Sequence, residues 1–386
     1  VEVVVVRKTY KYRLNPTPEQ EQALEVVLHR CRTLYNVALE QRKAWWGRGQ
    51  GIGASYHQQK AELPDLKAAC PEYAQVHSQV VQDVLLRVER TYAAFFRRVK
   101  AGETPGYPRF QGKDRYHSFT YPQYGNGAVL DGGILSLSKI GRIPLRLHRP
   151  LEGTPKTATI SKEADGWYVS FSCAEVPTHL LPLTGRETGI DVGLKVFLIT
   201  AEGEIVANPR HYRKAERELK KAQKRVSRRK KGSNRRKKAV KILARKHQHV
   251  RRQRTDFHHQ TAIALLRTSD TIYLEDLQVR NMVRNHHLAK SISDAGWAAF
   301  RTVLEAKAAW AGRRVIAVPP AFTSQDCSGC GERVKKSLSV RTHVCHSCGL
   351  VMDRDENAAR NIQWAGQALR GVGAVVPAMN REAPSL

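Results

Sequence analysis

Three acidic segments lie far apart in this sequence: Gly189-Ile190-Asp191-Val192-Gly193, Tyr273-Leu274-Glu275-Asp276-Leu277 and Asp353-Arg354-Asp355-Glu356-Asn357-Ala358-Ala359. The first two set a carboxylate into or at the end of an apolar run, and the third sets one at a helix start. A carboxylate in such a run needs a cation or hydrogen bonds to offset its desolvation. Asp191, Glu275 and Asp355 together suit two Mg²⁺ (or Mn²⁺) ions roughly 3.5 to 4 Å apart, one activating water and one stabilising a leaving 3′ oxygen. Asp276 competes with Glu275 for that role. At the third segment Asp353 reads as the N-cap and Glu356 as the third residue of a capping box, so Asp355 is left as the metal ligand.

A second metal pattern lies between the last two segments. Cys327-Ser328-Gly329-Cys330-Gly331 and Cys345-His346-Ser347-Cys348-Gly349 give two C-x2-C knuckles fourteen residues apart, a closed four-cysteine Zn²⁺ site with no open position for chemistry. The glycine after each knuckle is free to take positive φ where the backbone turns. Lys335, Lys336, Arg341 and His343 read as a nucleic-acid contact of this ribbon. The remaining cysteines, Cys31, Cys70 and Cys173, stand alone, which fits a reducing compartment better than a disulfide framework.

The elements that must position these residues follow from pattern. Residues 3–14 alternate as a half-buried strand; Thr17 caps and Pro18 opens a helix to about Trp46; a second helical stretch runs from Tyr73 to Lys100. Short strands fill 117–175, including a hairpin at Asp165-Gly166, so the N-terminal part reads as a small β-barrel with a helical insertion. Then come two strands within 187–206, a strand at 271–277, a helix at about 294–312, a strand at 314–318 and a helix from Asp355 to about Leu369. The tail from Gly371, with Pro377 and Pro384, reads as disordered.

Charge names the partner class. The 386 residues carry 65 Lys and Arg against 35 Asp and Glu, a net +30 that calls for a polyanion. In 211–254, 21 of 44 residues are Lys or Arg and only Glu216 and Glu218 are acidic. Gly232-Ser233-Asn234 breaks the block into two basic helices folded on each other, with Arg228, Arg229, Lys230, Lys231, Arg235, Arg236, Lys237 and Lys238 near the turn meeting phosphates. His258-His259 and His286-His287 read as phosphate-binding surface rather than as catalysts. Around Gly106-Tyr107-Pro108-Arg109-Phe110 and Tyr116, Tyr121 and Tyr124, aromatics mix with cations, and both core packing and base stacking are open to them. No run approaches the roughly 18 apolar residues of a membrane span, and a cytoplasmic protein is expected.

Gly189-Ile190-Asp191-Val192-Gly193-Leu194-Lys195, Glu275, Ser291-Ile292-Ser293-Asp294-Ala295-Gly296-Trp297, Thr323-Ser324-Gln325 and Asp353 to Ile362 resemble the TnpB family, transposon-encoded RNA-guided nucleases related to type V CRISPR effectors. The resemblance covers nearly the whole chain. It implies an α/β and β multidomain fold: an RNase H-like (RuvC) nuclease domain (186–324 and 351–371, with the basic arm at 211–254), an inserted zinc ribbon (325–350) and an N-terminal wedge β-barrel (1–16 and 101–185) carrying a helical recognition bundle (17–100). It further implies a guide RNA from the transposon end, a double-stranded DNA target beside a short motif, and Asp191, Glu275 and Asp355 as catalytic acids. By position Tyr56, Ser78, Gln79 and Gln82 would read the motif, Gln suiting adenine. Two other readings compete: an RNase H-fold transposase or resolvase acting without RNA, and an RNA-guided repressor that does not cut, against which the intact acids argue.

Overall fold

Inward Tyr10, Tyr12 and Leu14 alternate with exposed Lys11 and Arg13, and this period of two makes β1 (Val5–Leu14) a strand with one buried face. The computed structural model describes residues 5–47, 54–113, 115–337 and 340–371; the expected disordered tail lies outside them. The chain divides into two units after Pro177.

The first unit is all-antiparallel in its sheet. After β1 come α1 (Pro18–Gly47), α2 (Tyr56–Ala61), α3 (Leu63–Ala69), a 3₁₀ turn (Pro71–Gln75) and α4 (Ser78–Lys100). Strands β2 (Ser118–Tyr121), β3 (Ala128–Asp131), β4 (Ile134–Leu137), β5 (Gly141–Arg146), β6 (Thr154–Glu163) and β7 (Gly166–Pro177) join β1 in the order β2-β6-β7-β1-β5-β4-β3. The two edges meet through Tyr124, just past β2, whose hydroxyl accepts the Leu130 N–H of β3 at 2.9 Å, so the sheet is nearly a barrel. Thr17 caps α1 as its sequence predicts: its hydroxyl accepts from Gln20 N, and Gln20 Oε1 accepts from Thr17 N. Val80, Val84 and Val88 of α4 share one core with Tyr12, Phe119 and Phe171 of the sheet. Arg87 rivets helix to sheet, paired with Asp83 at 2.8 Å and donating to Ser118 O and Thr120 Oγ1, each at 2.7 Å.

The second unit is a five-stranded mixed sheet with helices on both faces. Its elements are β8 (Glu187–Val192), β9 (Val196–Thr200), β10 (Ile205–Ala207), α5 (His211–Ser227), α6 (Asn234–Thr268), β11 (Thr271–Glu275), α7 (Val279–Met282), α8 (His286–Ala295), α9 (Trp297–Ala311), β12 (Arg314–Val318), β13 (Thr342–Val344), β14 (Val351–Asp353) and α10 (Arg354–Gly371). Strand order is β10-β9-β8-β11-β12, antiparallel from β10 to β8 and parallel from β8 to β12. The helix expected at 294–312 is α9, which begins at Trp297 because Gly296 takes φ 69° before it, and the preceding α8 is a helix that pattern did not predict. Residues 178–186 belong to this unit, where Leu181 N bonds Ala311 O and the Asp270 carboxylate accepts from Thr184 N and Gly185 N.

Strand period sorts the two faces. Ile190, Ile272 and Leu274 meet Ala262, Leu265 and Leu266 of α6 and Phe300 and Leu304 of α9. The residues between them, Gly189 and Tyr273, turn to α10. There, a Cβ at Gly189 would lie 2.1 Å from Ala359 O, and one at Gly366 would lie 1.9 Å from the Tyr273 ring. Missing side chains at these two positions therefore let α10 settle directly on β8 and β11.

Candidate functional site

Register brings the first two acids together. β8 and β11 are parallel with Tyr273 opposite Gly189 and Leu274 opposite Ile190, so Glu275 and Asp191 follow side by side, on the face that α10 covers. α10 begins over the same strand ends, and Asp355 is its second residue. Burial first, then the charges of Glu275 and Asp355, push the Asp191 carboxyl well above the usual range. Burial also raises Glu275, opposed by a hydrogen bond from the Thr323 hydroxyl. Asp276, the competing acid, instead pairs with Arg301 away from this cluster.

Asp353 is the helix cap, its Oδ1 accepting from Asp355 N at 2.8 Å and Glu356 N at 3.3 Å. Glu356 meanwhile holds Arg360 at 2.8 Å. Asp353→Ala is therefore expected to lower unfolding free energy by about 1 kcal/mol while keeping activity at permissive temperature. Denaturant titration beside a cleavage assay checks this, and an inactive but stable Asp353→Ala would exchange the roles given to Asp353 and Asp355.

Asp355 has partners that pattern did not predict. Arg341 Nη1 donates to both its oxygens at 3.1 and 3.3 Å, and Arg354 approaches at 3.3 Å. Arg341, expected on the ribbon surface as a nucleic-acid contact, is thus turned to an acid of the site. His343, expected there too, is fully buried in β13 with its Nδ1 against Lys336.

The four cysteines gather as their spacing predicts. Their sulfurs lie within 4.8 Å of one another, with Cys327 to Cys348 and Cys330 to Cys345 each 3.6 Å apart. A tetrahedral Zn²⁺ with bonds of about 2.3 Å requires sulfurs about 3.8 Å apart, so the donor set fits. Gly331 and Gly349, the residues after the knuckles, take φ 80° and 75°. Buried Asn357 on α10 accepts from Ser328 N at 2.9 Å and donates to Asp326 O at 2.8 Å. Asn361, one turn on, donates to Thr323 O and Asp326 O. The first knuckle is thereby fastened to the helix that carries Asp355.

The basic block folds into the expected hairpin. Leu219, Ala222 and Val226 of α5 and Ala239 and Val250 of α6 are its buried positions, and Ser233 caps α6 through Arg236 N. Arg228, Arg229, Lys230, Lys231, Arg235, Lys237 and Lys238 are exposed around the tip, whereas Arg236 folds back and donates to Val226 O at 2.6 Å. The two acids are occupied: Glu216 pairs with Lys290 and Lys220, which bring it to about 2, and Glu218 pairs with Lys221 and Lys246. Asp294, given no role by pattern, anchors the arm by accepting from Tyr212 N and Arg213 N at the start of α5.

His258 corrects the sequence reading. It is buried between Phe197 and Phe300 with Nε2 2.8 Å from Ala295 O, although His259, His286 and His287 are exposed. In the first unit Tyr56 opens α2 and packs half-buried on the core, Gln82 is half-buried on α4, and α2 lies against α4. Gln79 donates to Gln123, while exposed Ser78 accepts from Lys67. Tyr116 and Tyr121 belong to the core.

Comparison with known proteins gives three family matches. Residues 171–286 match a family described as "Probable transposase", 297–362 match a "Cas12f1-like, TNB domain", and 6–51 match a "Helix-turn-helix domain". The described part of that last stretch is a strand followed by one continuous helix. A Streptomyces pristinaespiralis protein named "Putative RNA-guided DNA endonuclease" is 38% identical over 95% of this chain and 91% of its own length. An Escherichia coli (strain K12) protein, "Putative RNA-guided DNA endonuclease InsQ", is 30% identical over 96% of this chain and 94% of its own. Among solved structures, a Cas12f1-sgRNA-target DNA complex superposes with TM-score 0.56 and 14% identity, covering 93% of this chain and 99% of that one. That likeness is one of fold.

Proposed function

Since the chain belongs to the TnpB-like family of RNA-guided DNA endonucleases, we propose that Asp191, Glu275 and Asp355 are the acids with which it cuts target DNA under the direction of a bound RNA. The observation that carries this assignment is the parallel register of β8 and β11, which sets Glu275 beside Asp191 on the face that α10 covers, with Asp355 in the first turn of α10. Carboxylates brought together at one strand end repel one another, and divalent cations among them would relieve that repulsion as Arg341 and Arg354 do for Asp355.

Carboxylate oxygens are the donors that hard divalent cations take, and Asp191, Glu275 and Asp355 would hold Mg²⁺ or Mn²⁺ here. When bound they supply Lewis-acid stabilisation of the attacking and leaving oxygens of an in-line phosphodiester displacement. The chain's own part is orientation. Thr323 donates to one Glu275 oxygen and holds that carboxylate, and Arg341 lies beside Asp355, where it can neutralise a scissile phosphate. Cys327, Cys330, Cys345 and Cys348 hold one structural Zn²⁺.

We assign 178–324 and 351–371 to a RuvC-like nuclease domain, 325–350 to its zinc ribbon, 1–16 and 101–177 to a wedge barrel and 17–100 to a recognition bundle, so that 178–185, expected in the barrel, pass to the nuclease domain. The mixed sheet with helices on both faces and the near-barrel support this layout. The RNA derives from the transposon end, and Tyr56 and Gln82 face the duplex motif beside the target, while base pairing reads the rest. The reading requires a cytoplasmic protein; among the described residues no helix is long and apolar enough to cross a membrane.

Purification with sequencing of the bound RNA tests the reading. A discrete RNA that directs cleavage of matching duplex DNA supports it, RNA-free cleavage would favour a transposase or resolvase, and guided binding without cleavage a repressor. The arm offers a separate prediction. Each phosphate neutralised contributes roughly 0.7 to 0.9 to the slope of log affinity against log salt. Reversing Arg228, Arg229, Lys237 and Lys238 to Glu should therefore weaken RNA binding and flatten that slope without changing which DNA motif is chosen. Unchanged affinity and slope would make the tip a solvated surface only.

A further inference from the structure

The loop after α4 is fastened to the first unit while its aromatic rings point outward. Asn36 of α1 clamps Gln111 from both sides, donating to its carbonyl at 3.0 Å and accepting its N–H at 2.8 Å. Pro108 is buried, yet Tyr107 and Phe110 on either side of it are 47% and 48% exposed. Tyr107 stands edge-on to Phe95 and Tyr92, with centroids 5.4 and 6.4 Å away, so its orientation is fixed by packing. One ammonium serves both rings: Lys43 Nζ lies 4.2 Å from the Phe110 centroid and 5.7 Å from that of Tyr107.

A loop with this anchoring spends two large apolar side chains on solvent, against the hydrophobic effect. Its surroundings are basic. Residues 90–115 hold seven Lys or Arg (90, 97, 98, 100, 109, 113 and 115) against two acids, Glu103 and Asp114. Rigid aromatic faces among cations are the elements of a single-strand binding platform, where bases stack and phosphates meet charge. Duplex DNA offers no free base faces, whereas folded RNA presents unstacked bases in loops, bulges and ends.

Building on the RNA-guided reading above, we propose that Tyr107 and Phe110, held over Lys43, form a stacking platform for unpaired nucleotides of the bound RNA. Arg109 between them meets the connecting phosphate. Stacking does not depend on base identity, so the platform grips the RNA without reading it. Because the rings neutralise no phosphate, their contribution is independent of salt.

The test is binding of the full chain to a short single-stranded oligouridylate and to a blunt RNA duplex, with Tyr107→Ala/Phe110→Ala against the parent. The double variant should bind the single strand about tenfold or more weakly with an unchanged salt slope, and the duplex as the parent does. Tyr107→Trp and Phe110→Tyr should restore binding, which a merely structural role would not predict. Matching thermal melts of parent and double variant set aside misfolding; should the double variant melt lower, the two ring-preserving variants compared with Tyr107→Leu/Phe110→Leu decide. Parental affinity for the single strand overturns the platform even if the protein carries its RNA, whereas absence of any resident RNA overturns the wider reading first. Loss of binding only to a displaced DNA strand in the assembled complex, or a changed oligomeric state in place of changed RNA affinity, would also overturn it.

Discussion

Asp191→Asn should abolish DNA cleavage, by about a thousandfold or more, and at the same time raise the melting temperature of the protein kept free of divalent cations. The first effect follows from the metal-ligand role proposed for Asp191, a role worth several kcal/mol of transition-state stabilisation. The second follows from the same crowding seen without the ions. Asp191 is desolvated and repelled by Glu275 and Asp355, so its pKa in the folded protein is raised. A group raised on folding favours the native state when protonated; that stability is fully present below the unfolded pKa of about 3.9 and is lost as pH rises through the folded value. The neutral amide escapes the loss. Its advantage over the parent should thus be small near pH 4 and grow toward neutrality in melts run with EDTA, and an Asn variant that melts below the parent at neutral pH would refute the crowding. Asp355→Asn should also be inactive but should not stabilise, because it leaves Arg341 and Arg354 without the carboxylate they contact.

Removing zinc should silence the nuclease from a distance. In the proposed structural site the cation does no chemistry, but the ribbon it closes supplies Arg341 to Asp355, and Asn357 and Asn361 tie its first knuckle, together with Thr323 just before it that holds Glu275, to α10. Structural zinc contributes folding free energy directly, and groups that orient metal ligands are typically worth 10- to 100-fold. Cys345→Ser is therefore expected to lose bound zinc and about 100-fold or more of the cleavage rate while RNA affinity stays within about threefold. Elemental analysis, cleavage kinetics and RNA binding on one preparation check this. Cys31, Cys70 and Cys173 variants should keep their zinc, and a zinc-free Cys345→Ser that cuts at the parental rate would uncouple the ribbon from the acids.

Pattern reached some of these residues and could not reach others. Strand period was enough to put Asp191 and Glu275 at strand ends, capping grammar separated Asp353 from Asp355, and cysteine spacing gave the knuckles. Periodicity assigns a residue to a face, however, and is silent on which distant residue comes to meet it. Thr323 lies 48 positions from Glu275, and Arg341 reaches Asp355 only because the ribbon folds over α10. His258 failed for another reason. It sits in α6, whose first half is a solvated basic arm and whose second half is core, and a composition window spanning the change hides the switch.

That continuity of α6 from core to tip also makes the arm an adjustable ruler. α5 and α6 are antiparallel and joined only at the far end, so deleting seven residues from each, about two turns, would shorten the reach by about 10 Å. Facing residues would return to nearly their original azimuth, the drift being about 20°. Ala262, Leu265 and Leu266 at the root would keep their places against the sheet. The reach of the arm is therefore a dimension that can be engineered in steps of whole turns, with the acids at the strand ends left in place.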